Sequence, residues 1–270
     1  RNLSIPGRLL AVSGMFGFLF FEGMALTVIV RSLGYPAKHR QGFVYSAADI
    51  YFSAITPSAS GGQPASAFFM IRDGIPTTAV MAALLLNLIM YTMVIITIGL
   101  FTILLFPKIF FRFSLPGRLF ILIGILTLAG LAVVFYLLLR RQKLLKGLAL
   151  GMASLLDRLH CHRLADRIRH KLDHALDEYG QCVDLLFDKK HILLKAYLLN
   201  LCQRLSQLLV TLAVFCAMGG SRSVLPELFA TQVYVVLGSN SMPIPGAMGV
   251  ADYLMLNGYM ALMTKTNAYQ

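Results

Sequence analysis

The hydrophobic residues of this chain fall in long, almost uncharged runs rather than in the narrow stripes of a water-soluble fold. Four runs, residues 9–30, 79–106, 119–139 and 192–218, have the length of a bilayer-crossing helix, which needs about 20 apolar residues. Two further apolar stretches, residues 43–71 and 225–263, are interrupted. The first is broken over 56–64 by Thr56-Pro57-Ser58-Ala59-Ser60-Gly61-Gly62-Gln63-Pro64. The second is broken over 240–249 by Asn240-Ser241-Met242-Pro243-Ile244-Pro245-Gly246-Ala247-Met248-Gly249. Each reads as an apolar half, a Pro/Gly/Ser break and a second apolar half. Non-helical backbone at membrane depth is tolerated only where protein or water satisfies its polar groups. Two such breaks, one in each half, predict a pair of re-entrant helix hairpins and point to a substrate site built from an internal repeat. The interval from Gly62 to Gly74 is twelve residues, as is that from Gly246 to Gly258, in keeping with a possible inverted repeat.

The expected fold is therefore an all-α polytopic membrane protein, a single integral domain over residues 1–270. A first half (1–139) and a second half (192–270) flank one long polar segment, 140–191. That segment carries Arg140, Arg141, Lys143, Lys146, Arg158, Arg163, Arg167, Arg169, Lys171, Lys189 and Lys190, and the excess of positive charge in cytoplasmic loops places it in the cytoplasm. Leu155, Leu159, Leu164, Ile168, Leu172, Leu176 and Leu185 recur in it at helical spacing, which predicts one or two amphipathic helices against the bilayer surface. Counting back through two spans and one hairpin puts the Arg31/Lys38/Arg40 loop on the same side. The loop with Lys108, Arg112 and Arg118 then falls on the opposite side, against the charge rule.

Composition sharpens this reading. Hydrophobic residues make up 57% of the 270 positions and charged ones 13%, half the share of about 25% in soluble domains, and the mean hydropathy is +0.72. A soluble domain is excluded. Lys and Arg number 24 against 12 Asp and Glu. In a soluble protein that excess would suggest nucleic acid; here anionic lipid beside basic loops accounts for it. Cys161, Cys182, Cys202 and Cys216 show no paired spacing, so neither a disulfide framework nor a zinc site is expected. The chain starts at Arg1 and ends soon after an apolar run, as a trimmed sequence would.

Charged groups inside apolar spans are functional candidates by default. Arg204 lies midway along the last span, and Asn200, Arg204, Gln207 and Thr211 share one helical face. Its guanidinium is read either as a bidentate holder of a lipid phosphate or as the partner of Glu22, the only charge in the first span. Around the first break, Thr56, Ser58 and Ser60 supply hydroxyls, Gly61 and Gly62 supply amides, and Gln63 supplies a side-chain amide. If a half-helix starts at Ala65, the N–H groups after Pro64 form an anion site; otherwise the hydroxyls only cap it. Around the second break, Asn240, Pro245, Gly246 and Gly249 allow close backbone approach, and Asp252 either meets a cationic headgroup, relays a proton or caps the half-helix. Asn87 and Tyr91, one helical turn apart, either line the same cavity or act as polar glue. Asp49 is open between these roles. His160-Cys161-His162 and His170/His174 lack the companions of a metal site, and no motif for covalent chemistry or a cofactor is present.

The break Thr56–Pro64 and the run Pro245-Gly246-Ala247-Met248-Gly249-Val250-Ala251-Asp252 resemble the motifs of the lysylphosphatidylglycerol synthase transmembrane family, or flippase-like domain, in its stand-alone bacterial form. The resemblance covers essentially the whole chain. The second motif departs from Pro-Gly-Gly-x-Gly-x-x-Glu, with Ala247 for a glycine and Asp252 for the glutamate. The resemblance implies a multi-pass protein of the bacterial inner membrane. In two-domain relatives this region moves an aminoacylated phospholipid between leaflets, and a separate soluble domain makes that lipid. The implied role is a flippase or transporter for an anionic or aminoacylated phospholipid or a lipid-linked substrate, with no cofactor and no nucleic acid. The alternative is the membrane part of a lysyltransferase-type system with a separate soluble transferase; a homo-oligomer is a further partner to expect.

Overall fold

The computed structural model describes residues 5–56, 60–141, 146–147, 150–151, 154, 162–239 and 249–267, with side chains left out for 162–174 and 261–267. Among the described residues every regular element is helical. The order is α1 (Ile5–Ser32), α2 (His39–Ile55), α3 (Gly62–Arg72), α4 (Thr77–Leu105), α5 (Pro107–Phe110), α6 (Leu115–Arg140), α7 (His162–Asp188), α8 (Lys190–Ala217), α9 (Leu225–Ser239) and α10 (Val250–Asn267). Helices α1, α4, α6 and α8 are long and apolar enough to cross a membrane, and they match the four uninterrupted runs. Leu9, Leu104, Leu126 and Met260 stand in the lipid-facing belt, each more than 60% exposed.

Helices α2 and α3 form the first hairpin. At about 1.5 Å per residue, the 17 residues of α2 extend only about 26 Å and the 11 of α3 about 17 Å, short of a full crossing. The base is tied by Asp73, whose Oδ2 accepts from Tyr45 Oη at 2.7 Å and from Gln41 Nε2 at 3.0 Å. The start of α2 and the end of α3 therefore lie at one level. Helices α9 and α10 make the second hairpin: Gly258 lies on Thr231, Gly238 on Leu254, and Tyr259 bonds Gln232.

Cross-helix bonds divide the molecule into two faces. On one face Lys189 Nζ donates to Ser32 O (2.7 Å), Thr78 Oγ1 to Glu178 (3.4 Å), and Arg140 lies over the Phe187 ring (4.2 Å). This gathers the end of α1, the start of α4, the end of α6, the start of α8 and the amphipathic α7. On the other face Arg112 pairs with Glu227 at 2.5 Å and Ser114 N–H donates to Asn257 Oδ1 at 2.9 Å. The first hairpin enters from the α7 face and the second from the opposite one. Long helices α1 and α8, each leading into a hairpin, run antiparallel: Gly14 and Gly17 meet Ser206, while Ser32 meets Lys189.

Two details of the sequence reading change. Gln63 and Pro64 belong to α3, so the first break is shorter than 56–64. The matched twelve-residue intervals are not structurally equivalent either. Gly74 ends α3 at φ +90, whereas Gly258 sits inside α10 against Thr231 and Phe113. The likeness of the halves lies in the order span, then hairpin, not in those glycines.

Candidate functional site

Two apolar clusters fill the interior. One joins the ends of α1, α4, α6 and α8 at the α7 face; the other joins α4, α6, α8, α9 and α10 toward the opposite face. Along α4 the first runs to Ile89 and the second starts at Val94; along α8 the first ends at Ala196, and Leu208 belongs to the second. Asn87, Asn200, Gln203 and Arg204, all buried, lie between them or at their border. A polar layer thus crosses the middle of the bundle.

Arg204, only 4% exposed, is its most unusual member. Its Nη1 donates to Gln207 Oε1 and its guanidinium carbon lies 4.3 Å from the centre of the Tyr91 ring. Nε and Nη2 have no hydrogen-bond partner among the described residues. An orphaned buried donor costs about 1–3 kcal/mol, and more when charged. Beside it Asn200 Nδ2 donates to Asn87 Oδ1 at 3.0 Å, while Asn200 Oδ1 and Gln203 Oε1 also lack partners among the described residues. Arg204 lines a cavity of about 10 Å³ with Ile95, Ile98, Leu208, Val233 and Val236, enough for about one water. Ile98 also borders a crevice of about 250 Å³, lined by Phe101, Tyr197, Leu201 and Phe229 among others. Arg204 does not ion-pair with Glu22 among the described residues, so that sequence alternative is replaced by the Tyr91 stack.

Glu22 is buried elsewhere in the same layer. Close approach of α1 and α2 is possible because Gly23 and Gly42 face each other: a Cβ on Gly42 would lie 2.3 Å from Gly23 O. One turn along α2, Ser46 Oγ donates to Glu22 Oε2 at 2.8 Å, and the carboxyls of Glu22 and Asp49 are in hydrogen-bond contact. Asp49 also accepts from Ser53 Oγ (3.2 Å) and from Gln63 Nε2 (2.9 Å). Gly62 is pressed on it, since a Cβ there would lie 1.9 Å from Asp49 Oδ1 and 2.6 Å from Asp49 O.

The tip of the first hairpin is thus held by its own chain. Ala65 N–H bonds Gly61 O within the helix, so the amides after Pro64 are not the free donors of an anion site. Gly61 N–H donates to Thr56 Oγ1 at 2.8 Å, and the carboxylate at the positive start of α3 is Asp49. Ser60 and Pro64 are exposed at this tip. In the second hairpin Asp252 Oδ2 accepts from Gly249 N–H at 3.2 Å in the first turn of α10, the capping arrangement. Thr211 faces a separate crevice with Phe215 and Tyr259. Ser58, Asn240, Pro245, Gly246, His160 and Cys161 lie outside the described residues. Sequence reasoning missed Ser46, Ser53 and Gln203; the spacing of Ser46, Asp49 and Ser53 along one face of α2 was the available signal.

The arrangement defines a class: a polytopic helical membrane protein with two opposed hairpins around a buried layer of polar and charged groups. Residues 2–269 match the family described as the lysylphosphatidylglycerol synthase TM region. The chain belongs to that family, and its role concerns membrane lipid. No curated protein and no solved structure matches it.

Proposed function

We propose that the protein moves a phospholipid, anionic or aminoacylated, between the leaflets of a bacterial cell membrane, with the α7 face cytoplasmic. The observation that carries this reading is Arg204: a charge at mid-depth, with two guanidinium nitrogens unpartnered among the described residues, is stabilised by a phosphate bridging them. The polar layer receives the headgroup and acyl tails remain in lipid or in the crevice beside Ile98; the second motif adds Asn240, Pro245, Gly246, Gly249 and Asp252 as candidate headgroup contacts. Thr56, Ser58 and Ser60 are the candidate hydroxyls of the first motif. Basic residues at the ends of α1, α6 and α8 support the orientation.

The test is transfer of fluorescent lipids in proteoliposomes across anionic, zwitterionic and aminoacylated headgroups. Headgroup-selective transfer, lost in Arg204→Ala while the protein stays folded, is the expected result. Wild type no faster than empty liposomes for every lipid sinks the reading. The family's association with lipid synthesis would then favour a membrane partner of a soluble transferase.

A further inference from the structure

The polar layer contains two buried carboxyls in contact, Glu22 at 7% and Asp49 at 9% exposure. Two carboxyls this close and this buried repel when both are ionised, and a shared proton relieves that repulsion. Each element packed around the pair adds a defined group. Helix α2 brings the hydroxyls of Ser46 and Ser53, α3 brings the Gln63 amide, and α8, packed on α1 where Gly14 and Gly17 meet Ser206, brings Arg204. Helix α4 carries no charged residue; its Tyr91 lies under the guanidinium. The other charges of these helices sit near their ends: Arg31 is bonded to Ala37 O and Arg72 lies over Phe69. With one proton on the pair, the layer holds one cation against one negative charge.

A phosphate on the free nitrogens of Arg204 breaks that neutrality. In a medium of low dielectric a net negative charge is expensive, and one more proton on the pair restores balance. We propose that Glu22 and Asp49 form a proton site coupled to anion binding at Arg204, so that each anionic headgroup taken up brings one proton with it. The inference rests on the lipid-moving reading and names its coupling ion. The proton comes from water on the side of lipid entry, adds to the remaining carboxylate, and leaves as the phosphate leaves; only O–H bonds form and break. A neutral Asp49 holds the Gln63 amide less tightly than a carboxylate does, and so loosens the hairpin tip while lipid is bound.

The experiment is binding of short-chain phosphatidylglycerol to the purified full chain in detergent between pH 8 and 6, by calorimetry in buffers of differing ionisation enthalpy. Affinity should rise as pH falls, toward about tenfold per unit for one linked proton, with about one proton taken up per lipid. Glu22→Gln and Asp49→Asn should flatten the slope. Short-chain phosphatidylcholine, whose own cation balances its phosphate, should bind without proton uptake. Wild-type binding of phosphatidylglycerol that is independent of pH and takes up no proton overturns the proposal, whatever the variants do. If that protein still transfers lipid in liposomes, the transport reading survives alone. Proton-linked binding without transfer leaves the coupling standing and sinks transport, and absence of any binding overturns both.

Discussion

Arg204 and Gly62 show how single residues set the character of this molecule. The guanidinium is held by one side chain and one ring, with two nitrogens unused. A site built only for stability would not leave them so. Arg204→Leu removes the orphaned donors, worth about 1–3 kcal/mol, but also the cation that balances Glu22 and Asp49, so it should abolish lipid transfer with little net change of melting temperature in detergent. Arg204→Lys should restore little transfer, because an ammonium can neither stack on Tyr91 nor fork onto a phosphate. Gly62→Ala should lower stability directly. Its Cβ meets backbone as well as the Asp49 carboxyl, so the chain must move, at a cost of about 1–3 kcal/mol. Thermal unfolding of the purified variant measures it. Arg204 was legible in the sequence because a charge inside an apolar run stands out. Its neighbours were not: Glu22 was matched to Arg204 on charge alone, whereas the helix crossing at Gly23 and Gly42 turns it toward Ser46 and Asp49.

At the scale of helices, uninterrupted runs translated directly into spans, since a long apolar stretch has only one way to satisfy its backbone in lipid. The hairpins were legible from their breaks for the same reason. Their depth and limits were not, because Gln63 and Pro64 look like break residues yet open α3; proline is tolerated in the first turn of a helix. The base of the first hairpin rests on tertiary bonds from Tyr45 and Gln41 to Asp73, which no local pattern shows. Asp73→Ala removes both, and should destabilise by about 1–3 kcal/mol and open the α2–α3 segment to protease in detergent. Tyr45→Phe, losing one bond, should have the smaller effect on both readouts.

For the whole molecule, the two faces make a topological prediction. In a cysteine-free background, His39→Cys and Arg141→Cys should react with an impermeant maleimide from one side of the membrane, and Lys108→Cys and Arg222→Cys from the other. If residues 39–74 crossed once instead of folding back, position 39 would lie opposite position 74 and the pattern would break. The opposed entry of the hairpins follows from parity: three spanning helices, α4, α6 and α8, separate them. This much was countable in the sequence. The antiparallel contact of α1 with α8 was not, since it depends on Gly14 and Gly17 admitting Ser206, and nothing local to either helix announces the other.

That contact bears on how the chain is made. Ser32 and Lys189, joined in the finished protein, are 157 residues apart. At synthesis rates of about 5–20 residues per second, α1 stands in the membrane for about 8–30 s before its largest partner emerges. Helices α2 and α3 arrive early and cover Glu22, but the small-residue face at Gly14 and Gly17 stays open to lipid meanwhile. It is the surface on which an insertion chaperone, or a wrong helix, would have its chance.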